Sequence, residues 1–178
     1  MRNISFSALA LSFGVLATHC TSPNAAPAPP AAQTLAKAFG IDGKPIGCRA
    51  FNMYVGDAAR TTFLRLRVDT AALGLKAGRH QLDLKTVKSA VAIDLVVYDA
   101  ANRELPDCSD ATLPQPKISA RWTTSGGRLS VRLSADPEEG KNFKVSIALD
   151  DIRFVGPAGE VRIIDAQFDD VEVGWLPG

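Results

Sequence analysis

The chain has 178 residues, enough for one domain and a tail, and 46% of them are hydrophobic, an ordinary fraction for a protein that buries a core. Twenty Lys and Arg residues against nineteen Asp and Glu residues leave a net charge of +1. Because nucleic-acid binding needs a basic surface, this balance predicts no nucleic-acid partner.

The first residues are typical of an export signal. Arg2 supplies a positive charge, and residues 4–17 form an apolar run. The run has about fourteen residues, whereas a membrane-spanning helix needs about twenty. We therefore expect this segment to direct export rather than to remain as a transmembrane helix.

A cysteine follows the apolar run. The order Leu-Ala-Thr-His-Cys at residues 16–20 resembles the lipobox of bacterial lipoproteins, although His19 stands where that family prefers a small residue. The resemblance implies an export signal over residues 1–19 and a lipid anchor, such as palmitate, on Cys20. It implies a place in the cell envelope, at the outer membrane in a Gram-negative host, because Thr21 follows the cysteine. Ordinary signal cleavage after Ala17 is the alternative and would give a secreted protein.

The segment after Cys20 is rich in alanine and proline. Residues 21–34 contain no aromatic or large aliphatic side chain, so they have nothing to bury and should stay disordered. We assign residues 20–35 to the lipidated cysteine and a linker, and residues 36–178 to one folded domain.

The other two cysteines are predicted to form a disulfide. If Cys20 carries lipid, Cys48 and Cys108 remain, and an exported protein meets an oxidising compartment where such a pair is usually joined. The closed loop of about 61 residues corresponds to roughly 4 kcal/mol of chain entropy. A metal site is disfavoured, because neither cysteine has a CxxC or HxxxH companion.

Most of the domain alternates apolar and polar residues with a period of two, which predicts strands. A single helical turn is expected between residue 35 and the breakers Gly40 and Pro45. The strand 91–98 carries apolar residues on both faces, so it should be central. The predicted strands cover residues 62–69, 81–86, 91–98, 118–123, 128–133, 143–149, 151–155, 161–164 and 168–175.

A hairpin is predicted between the fourth and fifth of these strands, because Gly126 and Gly127 tolerate the backbone angles of a tight turn. About nine short strands separated by frequent turns favour an antiparallel β-sandwich. A small β-barrel is the alternative.

One loop is rich in oxygen ligands and is a candidate calcium site. Its ligands would be Asp99, Asn102, Glu104, Asp107 and Asp110. The spacing is not that of an EF-hand, and a polar loop held by Cys108 explains the same residues without a metal. We expect no other metal and no cofactor.

Catalytic arrangements are not indicated. His80 is the one histidine after the signal, and no serine lies in a G-x-S-x-G motif. The acidic pairs Asp150-Asp151 and Asp169-Asp170, with Asp165 nearby, do not form dyads by themselves, because neighbouring strand residues point to opposite faces.

Two further sets of residues are candidates for binding. Trp122 and Trp175 are candidates for a stacking platform, although tryptophans more often complete a core. Arginines on the predicted strands are candidates for a basic face, although solvent-facing strand positions are commonly charged. These arginines are Arg65, Arg67, Arg128, Arg132, Arg153 and Arg162.

The sequence thus predicts a non-enzymatic, membrane-anchored envelope lipoprotein whose β domain is a binding module for an envelope protein or polysaccharide. A carbohydrate-binding or hydrolytic module acting outside the cell is the first alternative. A small barrel holding an apolar ligand is the second.

Overall fold

The computed structural model describes residues 30–105, 108, 114–138 and 141–174 of the chain. Within these ranges there are nine strands and one short helix, so the all-β prediction is confirmed. In chain order the elements are β1 (Ala32–Gln33), α1 (Leu35–Phe39), β2 (Ile46–Cys48), β3 (Asn52–Gly56), β4 (Thr62–Val68), β5 (Gly78–Asp83), β6 (Val91–Tyr98), β7 (Ile118–Leu133), β8 (Phe143–Gly156) and β9 (Gly159–Val173).

The nine strands belong to one mixed sheet that curls into a half-barrel. Its order is β1-β9-β8-β7-β6-β4-β3-β2, with β5 added beside β7. β1 and β9 run parallel, and the other described strand pairs are antiparallel. The predicted sandwich of two separate sheets is not confirmed, because neighbouring strands stay hydrogen-bonded along one continuous curled sheet.

The predicted hairpin at Gly126 and Gly127 is wrong, because both of its arms belong to the single long strand β7. Two bulges interrupt the pairing of β7 with β8. At the first, Ser125 is an extra residue on β7. At the second, which follows directly, the extra residue is on β8, where Asp151 has a φ of 53°. Gly127 has a φ of 126°, and a Cβ there would lie 2.7 Å from the Asp151 carbonyl oxygen. The glycines therefore serve a double bulge that bends the strand.

Bending lets one edge of β7 pair with two strands in succession. Its first part pairs with β6, and its last six residues pair with β5, while β8 occupies the opposite edge. β5 and β6 therefore run in the same direction, one after the other, along the same edge. Residues 84–90 connect them and place Leu84 in the core at 5% exposure.

The concave interior of the half-barrel holds the main core. Inward positions on every long strand contribute large aliphatic and aromatic side chains that are 2% exposed or less, each stabilising the fold by about 1.5–3 kcal/mol. They include Met53, Leu64, Leu66, Leu95, Leu129, Ile147, Leu149, Ile152, Phe154 and Ile163. Phe51, in the turn before β3, is buried with them. The interior is therefore filled with side chains.

A smaller core lies on the outer face, over the ends of β3, β4 and β6. It contains Tyr54, Phe63, Val96 and Tyr98, and the Phe63 and Tyr98 rings meet edge-to-face at 6.1 Å. We call it the outer cluster. Its presence confirms that β6 is central and covered on both faces, because Leu95 and Val96 point to opposite sides and are both 0% exposed.

β2, at one end of the sheet order, lies close to β9, near the other end of that order. The Gly174 amide donates to the Arg49 carbonyl at 2.6 Å, just beyond β2. A Cβ at Gly47 would lie only 2.0 Å from the Glu172 carbonyl oxygen, so the two backbones are in direct contact. β2 thus reaches the carboxyl end of β9 as the half-barrel curls round.

The predicted helical turn is confirmed as α1. Thr34 caps its amino end by accepting from the Lys37 amide, and Gly40 ends it with a φ of 69°. Phe39 packs edge-to-face against Phe154 at 6.3 Å, which closes one end of the core. β1 precedes α1 and lies inside the segment that the sequence assigned to the linker. Among the described residues, no helix has the length and apolar character needed to cross a membrane.

Candidate functional site

A concavity with a volume of about 630 Å³ lies on the outer face of β5, β7, β8 and β9. We call it the strand groove. Its outward-facing lining residues are polar or small: Arg79, Gln81, Ser130, Arg132, Ser146, Ala148, Gln167, Asp169 and Asp170.

Strand alternation places these side chains outside the barrel. Gln81, Ser130, Ala148 and Gln167 form one cross-strand row, because each is the register partner of the next. The short side chains in the middle of this row leave a low floor between longer side chains on β5 and β9. The groove is therefore a trough that runs along the strands.

The two sides of the trough carry opposite charges. On one side Arg79 lies directly opposite Arg132 on the neighbouring strand, and no carboxylate of the described residues lies within ion-pair distance of either guanidinium. Like charges in this position destabilise a sheet. On the other side, Asp169 and Asp170 occupy a bulge on β9, where Asp170 has a φ of 52°.

The β5 side of the groove ends in an unpaired strand edge. Within the described ranges β5 pairs only with β7. The Leu84 amide donates to the Gly127 carbonyl, so by alternation the backbone groups of Leu82 and His80 also face β7. The backbone N–H and C=O groups of Arg79 and Gln81 therefore point to the free edge, where they are available to hydrogen-bond to a further strand.

A second groove, of about 360 Å³, lies on the outer face of β3, β4 and β6. We call it the cationic groove. Its charged lining residues are Arg65, Arg67, Lys88, Asp94 and Arg121.

Asp94 holds two of these cations. It accepts hydrogen bonds from Arg65 Nε at 3.0 Å and Nη2 at 2.6 Å, and Arg121 Nε lies 3.7 Å away. Burial by itself would lower the pKa of Arg65, but the hydrogen bonds and charge of Asp94 outweigh it and raise that pKa. Arg67 and Lys88 have no carboxylate partner among the described residues.

His80 lies half-buried on β5, and its Nε2 is 2.7 Å from the Lys76 carbonyl oxygen. The His80 side chain therefore contacts the backbone of the segment that leads into β5. No serine and carboxylate of the described residues form a triad with it.

The acidic pair Asp150-Asp151 is bound by arginines. Asp150 accepts from Arg128 Nε at 2.9 Å, and Asp151 pairs with Arg162 and lies 3.8 Å from Arg153. The hydrogen bond from Arg162 lowers the pKa of Asp151. Four of the six strand arginines that the sequence singled out as a possible basic face, including Arg65, are thus bound to carboxylates, while Arg67 and Arg132 are not.

Cys48 and Cys108 form the predicted disulfide, with their Cα atoms 5.4 Å apart. Cys48 is 1% exposed and belongs to the outer cluster, with Cys108 packed against it. The disulfide therefore fixes the loop after β6 over the outer face. Cys20, the predicted lipidation site, lies outside the described residues.

The candidate calcium ligands do not converge within the described part of the loop. Asp99 Oδ1 accepts from the Lys117 amide at 3.0 Å, and Asn102 is 1% exposed with its Oδ1 accepting from the Glu104 amide. In the described ranges no three His, Cys, Asp or Glu residues form a metal-binding group. Asp107 and Asp110 lie outside those ranges.

Trp122 is half-buried and belongs to the closed end of the core. Its ring meets Phe39 edge-to-face at 5.5 Å, and a Cβ at Gly156 would lie 2.1 Å from it. The ring therefore offers no open platform for stacking. Trp175 lies outside the described residues.

The sequence missed two features of these sites. The strand predicted at 81–86 begins at Gly78 instead, so Arg79 lies on its outward face rather than before it. The polar positions 79, 81 and 83 carry the alternation that marks this face. Lys88 lies in the connection between β5 and β6, which carries no periodic pattern that would mark it.

The chain shows no significant match to a protein-family model, a curated protein or a solved structure.

Proposed function

We propose that the chain is a lipid-anchored, non-enzymatic protein of the cell envelope whose β domain binds an extended segment of a partner protein along β5. The observation that carries the proposal is the free edge of β5 at the side of the strand groove. An added strand would pair with the backbone groups of Arg79 and Gln81 and lie beside the side chains of Arg79 and Arg132.

Charge indicates which segment fits. Arg79 and Arg132 oppose each other without a carboxylate partner among the described residues, so an acidic side chain on the added strand would relieve their repulsion. The preferred partner is therefore an extended segment with acidic residues at alternate positions.

The alternatives receive less support. A polysaccharide site would favour an exposed aromatic ring, whereas the described lining of the strand groove is aliphatic and polar and Trp122 packs inside. An apolar ligand needs a hollow interior, whereas Leu64, Leu95 and Leu129 at 0% exposure fill the barrel. A hydrolytic module needs two carboxylates facing each other across a cleft, whereas Asp150 and Asp151 are bound to arginines.

A tether fits this role because it restricts the domain to the envelope. The eleven residues between Cys20 and β1 would span at most about 40 Å when fully extended. A domain held so close to the membrane would meet its partner at a raised local concentration.

The anchor is tested by palmitate labelling of wild type and the Cys20→Ala variant, with mass spectrometry of the mature amino terminus. Label in the wild type and none in the variant is expected. An unlabelled mature chain that begins at Thr18 would replace the anchor with a secreted protein.

Strand addition is tested by photo-crosslinking in the producing cell and then by binding. A photoreactive Gln81→benzoylphenylalanine variant is compared with the same substitution at Lys144, an exposed position on β8 outside the strand groove. The crosslinked segment is identified by mass spectrometry and synthesised as a labelled peptide. Its affinity is then measured by fluorescence anisotropy for wild type, Gln81→Pro and Gln81→Ala.

Gln81→Pro removes the outward amide, and an edge strand tolerates proline at such a position. We expect binding about tenfold weaker than wild type, because an unmet hydrogen-bonding group remains on the peptide. Gln81→Ala keeps the amide and should bind within threefold of wild type. Equal affinity for the proline variant, or equal crosslinking from position 144, would refute strand addition.

A further inference from the structure

The cationic groove has a surplus of positive charge that strand addition on β5 does not use. Four cationic side chains line it against the single carboxylate of Asp94. The whole chain has a net charge of only +1, so positive charge is concentrated at this place. Because Asp94 is already bound to Arg65 and Arg121, the surplus belongs to Arg67 and Lys88.

The backbone explains why these two side chains share one space. Arg67 on β4 points outward between its register partners Asn52 on β3 and Ala92 on β6. Ala92 ends at a methyl group, so the space beside Arg67 is not filled from that strand. Lys88 comes from the connection between β5 and β6, and both cations line two adjoining grooves on this face. The second groove also contains Asp69, which forms no ion pair with either cation.

We propose that Arg67 and Lys88 bind a phosphate group in the cationic groove. A guanidinium matches two phosphate oxygens with two parallel N–H donors, and an ammonium adds a mobile point charge. Arg65 and Arg121 are held nearby by Asp94 and contribute a positive field without needing to contact the ligand. A neutral ligand would leave both free cations uncompensated, and a phosphate compensates them together.

Two classes of compound carry such a phosphate group. The phosphate belongs either to the headgroup of an anionic lipid or to a soluble phosphate compound. The site is separate from the β5 edge, so its test does not depend on a protein partner.

The experiment titrates inorganic phosphate into the full chain with Cys20→Ala, which removes the predicted lipidation site. Binding is followed through the ¹⁵N-detected side-chain Nε–H signal of Arg67 where it is present, and through those of Arg65 and Arg121 in the same groove in every variant. The variants are Arg67→Gln with Lys88→Gln, and a matched control with Lys44→Gln and Lys144→Gln, which removes two charges at exposed positions elsewhere. Thermal melts confirm that each variant is folded.

A saturable shift of the Arg67 signal is expected in the parent chain and in the matched control. The Arg67→Gln and Lys88→Gln variant should bind phosphate at least tenfold more weakly. Arg67→Lys keeps the charge and loses the paired donors, so it should fall between them, and it also provides a test should the double variant fail to fold. A linear shift without saturation, or equal affinity in the double variant and the control, would overturn the proposal.

Sedimentation with vesicles identifies the source of the phosphate. Binding to phosphatidylglycerol vesicles but not to phosphatidylcholine vesicles, abolished by the double variant, assigns the site to anionic lipid headgroups. Saturable inorganic phosphate binding without vesicle binding assigns it to a soluble phosphate compound.

Discussion

Two regions of the outer face of the half-barrel differ in whether other parts of the chain cover them. Over the ends of β3, β4 and β6 the outward positions are apolar, as at Phe63 and Val96, and a loop fixed by Cys108 covers them. Over β5, β7, β8 and β9 the outward positions are polar or small, and the strand groove stays open. The same alternation along the strands therefore produces a second core where a cover is supplied and an accessible groove where none is.

The difference predicts that stability resides in the covered region and binding in the open one. Substitutions in the outer cluster should lower the free energy of unfolding by several kcal/mol. Substitutions in the strand groove should leave it unchanged or raise it. The following predictions run from the largest expected effect to the smallest.

Phe63→Ala should cause the largest loss. Phe63 is 4% exposed and packs against Tyr98, so its truncation removes buried area and leaves a cavity. We expect the free energy of unfolding to fall by about 3–5 kcal/mol in urea titrations. Ile118→Ala, at a 40% exposed outward position on β7, is the matched control and should lose far less. Similar losses for both would mean that the outer cluster is not a core.

Removing the disulfide should have the next largest effect. Joint Cys48→Ser and Cys108→Ser substitution frees the covering loop, and we expect a loss of about 2–4 kcal/mol, mainly through the entropy of the unfolded chain. Reduction of the wild-type chain should give a similar unfolding midpoint. Cys20→Ser, which leaves the disulfide intact, is the control. A midpoint insensitive to reduction would contradict the role of the disulfide.

Asp57→Asn should have a moderate effect that depends on pH. Asp57 accepts from the Thr61 amide at 2.7 Å and its hydroxyl at 2.8 Å, in the turn whose Arg60 donates to the covering loop at the Asn102 carbonyl. Burial by itself would raise the pKa of Asp57, but the hydrogen bonds from Thr62 and Thr61 lower it overall.

Because the folded pKa of Asp57 lies below its ordinary value of 3.8, its contribution is present above that value and is lost as the pH falls through the folded pKa. Asp57→Asn should therefore cost about 1 kcal/mol at pH 7 and progressively less in strong acid. Urea titrations at pH 7, 4 and 2.5 measure the trend. Asp42→Asn, at an exposed position, is the control. A cost that grows as the pH falls would contradict the assignment.

Arg132→Gln should have the smallest effect, with the opposite sign. It removes the repulsion between Arg132 and Arg79, so the free energy of unfolding should stay the same or rise by up to about 0.5 kcal/mol. The gain should shrink in high salt. Arg128→Gln on the same strand breaks the ion pair with Asp150 and should lower stability. A clear loss of stability for Arg132→Gln would contradict the repulsion between Arg79 and Arg132.

Much of the site chemistry was not visible in the sequence, for a physical reason. The alternation of apolar and polar residues predicts which residues face outward, and it correctly marked Arg67 and Arg132 as solvent-facing. It did not tell which strands become neighbours. Arg79 and Arg132 meet only because β5 pairs with the second half of β7. Arg67 shares a groove with Lys88 only because the connection that carries Lys88 leads into β6, which pairs with β4.

The sequence by itself determined the all-β class, the inward and outward faces of the long strands, and the pairing of the two cysteines left after Cys20. These properties are local or follow from composition, since a strand displays its two faces wherever it lies. Only the tertiary structure decided that residues 118–133 continue as one bent strand, that the sheet curls into a half-barrel, and that β5 keeps a free edge. Each of these depends on contacts between residues distant in the chain, and glycines such as Gly126 and Gly127 permit a turn and a bulge alike until the neighbouring strand selects one.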